Sequence, residues 1–205
     1  MTHDIRREYH ASALLVGPDD PLAFFQQWLD EACATPDIPD PTAFVLATVD
    51  AAGHPDARVV LLKQAQPKEL VFYTNYLSEK GWQIEHHRYV AMNFYWPSFS
   101  RQVRITGKAE QVDREQSERY FASRPKASQA AASVSRQSQI VDRALLHQQF
   151  EQALQQEVIA CPPYWGGYCV TPLTFEFWHG QAGRLHDRII YVHEHNAWRQ
   201  FRLAP

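Results

Sequence analysis

The stretch LTFEFWHGQAGRLHDRIIYV, residues 173–192, predicts two strands joined by a tight turn near the C-terminus. Its first part, residues 173–178, is rich in aromatic side chains, which suit the half-buried surface of a sheet. Gly180 and Gly183 then indicate a turn, because glycine tolerates the backbone angles that tight turns need. Residues 184–192 predict the second strand, so we expect the chain to fold back on itself here.

Three basic side chains occupy alternate positions of that second predicted strand. Since side chains alternate between the two faces of a strand, Arg184, His186 and Arg188 would share one face. Such a cluster predicts a site for an anionic or electron-rich ligand. A solvated basic surface, with Asp187 as a neighbouring counter-charge, explains the same pattern, and both interpretations stay open at this point.

Length and composition are those of a folded protein with one sizeable core or two small ones. The chain has 205 residues, of which 45% are hydrophobic and 13% aromatic. The formal net charge of -3 argues against a general nucleic-acid binder. No apolar run reaches the length of a membrane span, and the polar N-terminus lacks the apolar segment of a secretory signal. We therefore expect neither nucleic acid nor membrane as a partner.

The cysteines and histidines indicate neither a disulfide framework nor a metal site. Cys33, Cys161 and Cys169 are odd in number and lack CxxC spacing, which predicts buried, reduced residues in a cytoplasmic protein. The histidines at 86–87 and 193–195 lack carboxylate or thiol partners at ligand spacing. We therefore predict no bound metal.

The N-terminal residues 1–18 predict a mobile arm, in which Arg6, Arg7 and Tyr9 are the distinctive side chains. The dipeptide Asp20-Pro21 then predicts the start of a helix, because Asp is a good N-cap and Pro suits the first helical position. Apolar residues at helical spacing continue that helix for about three turns.

Runs of strand length joined by short turns follow, and they predict an antiparallel barrel with peripheral helices. The predicted barrel strands are residues 43–49, 57–63, 69–74, 89–96 and 101–112, with a bulge at Gly107. Helices are predicted at 114–123 and through 145–158, the second capped by Ser135 or Ser138. Because this helical segment is inserted between strands that must pair, residues 19–205 are expected to form a single domain.

Four further clusters combine cations, amides or hydroxyls in ways that suit an anionic ligand or, for Gln102 with Arg104, the edge of an isoalloxazine ring. They are Arg58 to Lys63, Tyr73-Thr74 with Ser78 and Lys80, Gln102 with Arg104, and Tyr120 with Arg124 and Ser128. Each cluster also has an ordinary explanation. The charges of residues 58–63 could protect a sheet edge, and Ser78 could be a plain helix cap. Gln102 and Arg104 could lie on a polar strand face, and the Tyr120 cluster on a solvated helix face. Together they predict two anion sites and a flat aromatic site, which suits a phosphorylated flavin and a second phosphorylated ligand.

Eight ordered stretches resemble the pyridoxamine 5'-phosphate oxidase family of flavin enzymes. They are RVVLLK (58–63), VFYTN (71–75), RQVRITG (101–107), YFASRP (120–125), SRQS (135–138), WGGY (165–168), EFW (176–178) and RLHDR (184–188), and residues 198–205 also fit. The resemblance runs from the N-terminal arm to the end of the chain, and the stretches are specific as a set.

The resemblance implies an FMN-binding split barrel that forms a homodimer with FMN at the interface. It implies oxidation of pyridoxamine 5'-phosphate and pyridoxine 5'-phosphate to pyridoxal 5'-phosphate, with O2 as acceptor and H2O2 as product. The implied FMN-binding residues are Arg58, Val59, Val60, Leu61, Leu62, Lys63, Tyr73, Thr74, Lys80, Gln102, Gln137, Ser138, Trp178 and Arg188. The implied substrate-binding residues are Arg6, Arg7, Tyr9, Lys63, Tyr120, Arg124, Ser128, Arg184 and His186, and the last two carry the catalytic role over the pyridine ring.

Some positions depart from the family pattern. Glu79 precedes Lys80 where an arginine is common, so the site for the FMN phosphate has one cation fewer. The arm after Tyr9 reads HASALLVGPDD, without the family's basic cluster and glycine pair, and residues 130–132 lack a common glycine. We expect weaker FMN binding and a differently behaving arm.

Two alternative functions stay open. A related FMN oxidase of another pathway, of the phenazine type, would keep the RLHDR-like stretch but tend to lose Lys63, Tyr120, Arg124 and Ser128, all of which are present. A non-enzymatic protein that binds FMN or pyridoxal phosphate would fit weak flavin retention.

Overall fold

The computed structural model describes residues 8–10, 12–66 and 69–205. Within these residues the strands are β1 (Ala43–Val49), β2 (Pro55–Gln66), β3 (Glu69–Asn75), β4 (Tyr89–Trp96), β5 (Arg101–Gln111), β6 (Trp165–His179), β7 (Asp187–Glu194) and β8 (Ala197–Arg202). The α-helices are α1 (Pro21–Cys33), α2 (Glu79–His86), α3 (Arg114–Ser123), α4 (Lys126–Val134) and α5 (Arg143–Leu154). None of the helices in the described part of the chain is both long and apolar enough to cross a membrane.

The strands form one antiparallel sheet in the order β3-β2-β1-β4-β5-β6-β7-β8. β3 also pairs with β6, which closes the first six strands into a barrel. β6 belongs to both parts of the sheet, because residues 165–170 pair with β3 and residues 174–179 pair with β7. The predicted barrel with peripheral helices is therefore confirmed, and the two ends of β6 lie in different surroundings.

β6 carries a bulge where it pairs with β5. Thr106 pairs with Thr174 and Gly107 with Pro172, so the extra residue is Leu173 on β6, opposite Gly107 rather than at Gly107 as predicted. A Cβ atom at Gly107 would lie 2.5 Å from the carbonyl oxygen of Thr171, so only glycine lets the two backbones approach this closely.

Helix α1 packs its aromatic side chains into the main core inside the barrel. The Asp20 side chain caps the helix, as predicted. Phe25 is fully buried and its ring centroid lies 4.9 Å from that of Phe94, while Trp28 lies 5.3 Å from Phe177. Burying several such rings is a large hydrophobic contribution, about 1.5–3 kcal/mol for each fully buried large side chain.

A second, smaller core lies beneath helices α3, α4 and α5. Its buried residues are Phe121, Ala130, Ala153, Ile159 and Trp165. Because Trp165 starts β6, this core attaches the helices to the barrel end of that strand.

Residues 184–188 do not form the continuous strand that was predicted. Ala182–Arg184 is a 3₁₀ turn, and β7 begins only at Asp187. Gly183 and Arg184 have φ angles of 65° and 62°, which are incompatible with an extended strand. Arg184, His186 and Arg188 therefore do not alternate along one strand face.

Two smaller predictions were also wrong. Helix α5 is capped by Asp142, whose carboxylate accepts hydrogen bonds from two backbone N–H groups, and Ser138 instead has a φ angle of 69° that an N-cap does not adopt. The cysteines are free, but Cys33 is exposed and Cys161 and Cys169 are only partly buried. Cys33 ends α1, Cys161 lies in the connection before β6, and Cys169 lies within β6.

Candidate functional site

A cleft of about 920 Å³ lies between the barrel strands β2 and β3 and the helices α2, α3 and α4. Most of the predicted ligand-binding residues line it, namely Arg58, Val59, Val60, Leu61, Lys63, Tyr73, Thr74, Lys80, Tyr120, Arg124, Ser128, Gln137 and Ser138. Leu62 does not, because its side chain points into the core and is only 3% exposed. The cleft thus brings together the residues predicted for two phosphate groups.

Arg58 is fixed at one end of the cleft by a partly buried polar network. Its guanidinium donates to the carbonyl oxygen of Leu46 at 3.1 Å, to Thr48 Oγ1 at 2.6 Å and to Gln83 Oε1 at 3.1 Å. It also forms an ion pair with Asp56, which in turn accepts a hydrogen bond from Gln83 Nε2 at 3.3 Å. A long, flexible cation is therefore held in one orientation.

Lys80 is the second cation at this end and is only 8% exposed. Its Nζ donates to Ser78 Oγ at 3.2 Å and to Gln137 Oε1 at 3.0 Å. Burial, together with the charge of Arg58, lowers the pKa of Lys80 to about 8. Both causes disfavour the ammonium form, so an anion bound between Lys80 and Arg58 would relieve the repulsion.

A wall of stacked aromatic rings forms the opposite side of the cleft. The ring centroids of Tyr73 and Tyr120 lie 3.9 Å apart, and those of Tyr73 and Trp165 lie 5.5 Å apart. Burial raises the pKa of both tyrosines, so both phenols keep their protons at neutral pH and can donate hydrogen bonds.

Arg124 lies against this wall, with its guanidinium 4.7 Å from the centroid of the Trp165 ring. Its Nη1 atom is buried and has no hydrogen-bond partner among the described residues. Burial lowers the pKa of Arg124, which reflects the cost of keeping the cation out of water. Buried donors are normally satisfied, so this one fits an anionic ligand in the cleft, beside Ser128 and Lys63.

The other predicted residues within the described range lie near the far end of β6. Trp178 pairs across the sheet with Gln102 on β5 and Arg188 on β7. Trp178 lies 13 residues along β6 from Trp165, which lines the cleft, and an extended strand of that length spans at most roughly 40 Å. We call Gln102, Trp178, Arg184, His186 and Arg188 the turn group. One chain does not bring the turn group into the cleft.

Arg188 is held by protein groups. Its Nε donates to Glu176 Oε1 at 2.9 Å, and its Nη1 donates to the carbonyl oxygen of Ala204 at 2.8 Å. The other oxygen of Glu176 accepts a hydrogen bond from Arg104 at 3.1 Å. The guanidinium of Arg188 is thus fixed in position with part of its donor set already used.

His186 lies beside aromatic rings and has a defined hydrogen-bond role. The backbone N–H of Gln181 donates to His186 Nδ1 at 3.1 Å, so in the neutral ring the proton is on Nε2. The ring centroid lies 4.7 Å from that of Trp178 and 5.3 Å from that of Tyr9. Arg184 is exposed next to them in the turn. Arg6 and Arg7, also predicted to bind substrate, lie outside the described residues.

Several residues of the site were missed from the sequence. Asp56 lies two positions before Arg58 and therefore on the same strand face, a spacing that could have indicated the ion pair. Gln83 and Trp165 come from distant elements, and no local pattern links them to the cleft.

Comparisons with known proteins agree with this geometry. Residues 29–157 match the family described as "Pyridoxamine 5'-phosphate oxidase", and residues 165–205 match the "Pyridoxine 5'-phosphate oxidase C-terminal dimerisation region". The chain is 48% identical to the pyridoxine/pyridoxamine 5'-phosphate oxidase of Chromohalobacter salexigens, covering 98% of this chain and 97% of the relative. It is 45% identical to that of Haemophilus influenzae, covering 99% of each.

Solved structures share the fold. PhzG from Burkholderia lata, solved with tetrahydrophenazine-1-carboxylic acid, is 28% identical with a TM-score of 0.88, covering 92% of this chain and 94% of that one. A pyridoxamine 5'-phosphate oxidase-related, FMN binding protein from Nostoc punctiforme has a TM-score of 0.74 at 16% identity, covering 89% and 96%. The sequence relatives, near 45% identity over almost the whole chain, decide the assignment. The chain is an oxidoreductase and belongs to the pyridoxamine 5'-phosphate oxidase family.

Proposed function

We propose that this protein uses FMN to oxidise pyridoxamine 5'-phosphate and pyridoxine 5'-phosphate to pyridoxal 5'-phosphate, with O2 as acceptor and H2O2 as product. The amine substrate also consumes water and releases ammonia when its imine is hydrolysed. The observation that carries the proposal is the buried, unpartnered Nη1 of Arg124 among the described residues, in a cleft with Lys63, Tyr120 and Ser128. These groups suit a substrate phosphate, because a guanidinium, an ammonium and hydroxyls match the oxygens of a dianion.

The residues at the other end of the cleft fit the phosphate of FMN. Arg58 is oriented by Thr48 and Gln83, and Lys80 is buried with a pKa lowered to about 8. Ser138 accepts the backbone N–H of Glu79 at 3.1 Å, which holds the loop of Gln137 and Ser138 against the start of α2. Two cations in a half-buried site are stabilised by a bound dianion.

Within this site the protein binds the substrate, orients it and excludes water. FMN held here would supply a two-electron acceptor for the hydride on the substrate carbon C4', with O2 as the final acceptor. Arg124 and Lys63 anchor the substrate phosphate, which fixes the distance of the pyridine ring from the flavin. Arg184 covers the ring, and His186 donates a hydrogen bond through Nε2 rather than removing a proton through Nδ1, because Nδ1 is occupied by the N–H of Gln181.

We further propose that the protein is a homodimer in which the turn group of one subunit faces the cleft of its partner. Supporting this, the residues predicted for a single FMN lie in two places on one chain, and all of the turn group except Gln102 falls within the match to a dimerisation region. The outer face of β2 also exposes Val59 and Leu61, at 65% and 38%. Apolar side chains on an open sheet face suit a subunit interface.

A cytoplasmic location stays a prediction from the sequence.

A phenazine-type substrate is the competing candidate, since PhzG is a structural relative and was solved with a phenazine carboxylic acid. The Arg124 end of the cleft favours a phosphorylated substrate, because the Arg58 and Lys80 end is already assigned to the phosphate of FMN. Lys63, Tyr120, Arg124 and Ser128 would have no phosphate partner in a phenazine complex.

The test is a direct assay of the purified protein under air. We expect flavin absorbance, formation of pyridoxal 5'-phosphate from pyridoxine 5'-phosphate with equimolar H2O2, and no comparable turnover of unphosphorylated pyridoxine. A flavin-loaded protein that turns over a reduced phenazine carboxylic acid but neither phosphorylated vitamer would contradict the proposal.

A further inference from the structure

The N-terminal arm is attached to the turn between β6 and β7 through Gln181. The backbone N–H of Ser12 donates to Gln181 Oε1 at 2.9 Å, and Gln181 Nε2 donates to Ser12 Oγ at 2.7 Å. Gln181 is only 8% exposed. A buried amide is costly unless both its ends are hydrogen-bonded, and here the arm satisfies both.

The same residue holds the ring of His186. Its backbone N–H donates to His186 Nδ1 at 3.1 Å, which selects the neutral tautomer with the proton on Nε2. The side chain and the backbone of Gln181 therefore hold two different elements, the arm and the imidazole, so a movement of one is transmitted to the other.

Tyr9 completes the contact on the other side of the imidazole. Its ring centroid lies 5.7 Å from that of Trp178 and 5.3 Å from that of His186, with both pairs edge to face. Gly180 makes room for this ring, since a Cβ atom there would lie 2.4 Å from Tyr9 Cδ1. When the arm is attached, Tyr9 thus covers one side of His186.

A second anchor follows three residues further along the arm. The backbone N–H of Leu15 donates to Asp187 Oδ2 at 2.9 Å, and Arg202 donates to the carbonyl oxygen of Leu15 at 2.8 Å while pairing with Asp187. Gln181 Nε2 also lies 3.4 Å from Asp187 Oδ2. The two anchors belong to one hydrogen-bonded network beside His186.

We propose that Gln181 is a positioning residue that couples the N-terminal arm to the orientation and tautomer of His186, with Asp187 as the second anchor. When the arm attaches through Gln181, His186 is at the same time held in the tautomer that carries its proton on Nε2. The consequence for substrate rests on the proposed function, because it requires His186 to contact the substrate ring.

The experiment compares Gln181→Ala with Gln155→Ala, which changes an exposed glutamine at the end of α5. Hydrogen exchange of the Ser12 and Leu15 amides reports the arm, and nitrogen chemical shifts of the His186 ring report its tautomer. For Gln181→Ala we expect Ser12 exchange to rise by at least about tenfold and the ring to show a mixture of tautomers. The KM for pyridoxine 5'-phosphate should rise by about three- to tenfold with unchanged FMN content.

Ser12→Ala provides a second variant that leaves the folded body intact, and it should shift exchange and KM in the same direction by a smaller factor. Unchanged Ser12 exchange in Gln181→Ala, or a His186 tautomer that does not respond, would overturn the proposal. A fall in melting temperature and FMN content without a specific change in KM would overturn it as well, since that is the signature of a purely structural role. The exchange and tautomer measurements need no substrate, so they decide the coupling even if the wild-type protein fails to oxidise either vitamer.

Discussion

The cleft and the turn group differ in how their cations are satisfied. In the cleft, Arg124 has a buried donor without a partner among the described residues, and Lys80 has a pKa lowered to about 8 by burial and by Arg58. In the turn group, Arg188 is paired with Glu176, and His186 accepts a backbone N–H. Within the described part of the chain, Arg124 and Lys80 therefore lack an anionic partner that a ligand would supply, whereas Arg188 and His186 already have protein partners.

This difference indicates a division of roles. Phosphate recognition requires uncompensated positive charge, which is a cost in the free protein that the ligand offsets. Positioning of a ring requires rigid side chains, which internal hydrogen bonds provide. On this account the cleft supplies binding free energy and the turn group supplies orientation.

The largest effect is expected for Arg124→Met. The substitution keeps an unbranched side chain over Trp165 but removes the charge, so the KM for pyridoxine 5'-phosphate should rise by about 10- to 100-fold, as expected for a charged hydrogen bond. The melting temperature should hold or increase, because an uncompensated buried cation is lost. Steady-state kinetics and thermal unfolding measure both. The matched control is Arg119→Met in α3, the helix that Arg124 directly follows, where the arginine is 62% exposed and paired with Glu115. If Arg119→Met raised KM by the same factor, the assignment of Arg124 to the substrate phosphate would be contradicted.

Within the turn group, Arg188→Ala and Arg184→Ala should have different effects on FMN and on substrate. Removing Arg188 leaves Glu176 with fewer partners in a buried position, so we expect a loss of about 1–3 kcal/mol in stability and a more than roughly tenfold weaker retention of FMN. Arg184 is exposed and should affect substrate handling while FMN content stays normal. Flavin absorbance per protomer and KM distinguish them. Equal loss of flavin in both variants would show that the division within the turn group is wrong.

Lys80 should make FMN binding depend on pH. Its pKa is lowered to about 8, so the cation is present below that pH and is lost as the pH rises through it. The Kd for FMN should therefore increase by up to about tenfold between about pH 7 and about pH 9. Lys80→Arg should flatten the profile, because a guanidinium stays charged over this range. Fluorescence titration of the apoprotein with FMN provides the measurement, and a profile as steep in Lys80→Arg as in the wild type would rule out this role.

The smallest effect is expected at Glu79, which lines the cleft but is exposed. Glu79→Arg should tighten FMN binding by about two- to fivefold, the modest gain typical of a solvent-screened charge. Glu79→Gln should give roughly half of that gain in free energy, since it only removes the negative charge. The titration used for Lys80 measures both variants, and an unchanged Kd would mean that this departure from the family pattern has no bearing on FMN.

The sequence predicted regular elements well where several local signals agree. β1, β4 and α3 have the expected boundaries, because apolar runs, turn residues and an N-cap all coincide there. The start of α5 was missed because Ser135, Ser138 and Asp142 are all acceptable caps and only the packing of the loop selects the last.

The candidate site was harder to predict because its parts come from distant elements. The turn at residues 182–184 depends on a positive φ at Arg184, a non-glycine residue that has no sequence signature for it. The network of Arg58, Thr48 and Gln83 depends on contacts across three elements. The separation of the cleft from the turn group depends on the path of β6, which no spacing in the chain reveals.

The central claim, that each site combines the cleft of one subunit with the turn group of the other, is tested most directly by subunit complementation. Arg124→Ala and Arg184→Ala are each expected to be nearly inactive at low substrate concentration. When the two are unfolded, mixed in equal amounts and refolded, half of the dimers are hybrids, and in each hybrid one of two sites carries both changes and the other carries neither. The account predicts recovery of about one quarter of wild-type activity. If the site lay within a single chain, every site would carry one change, and activity no higher than that of the separate variants would contradict the account.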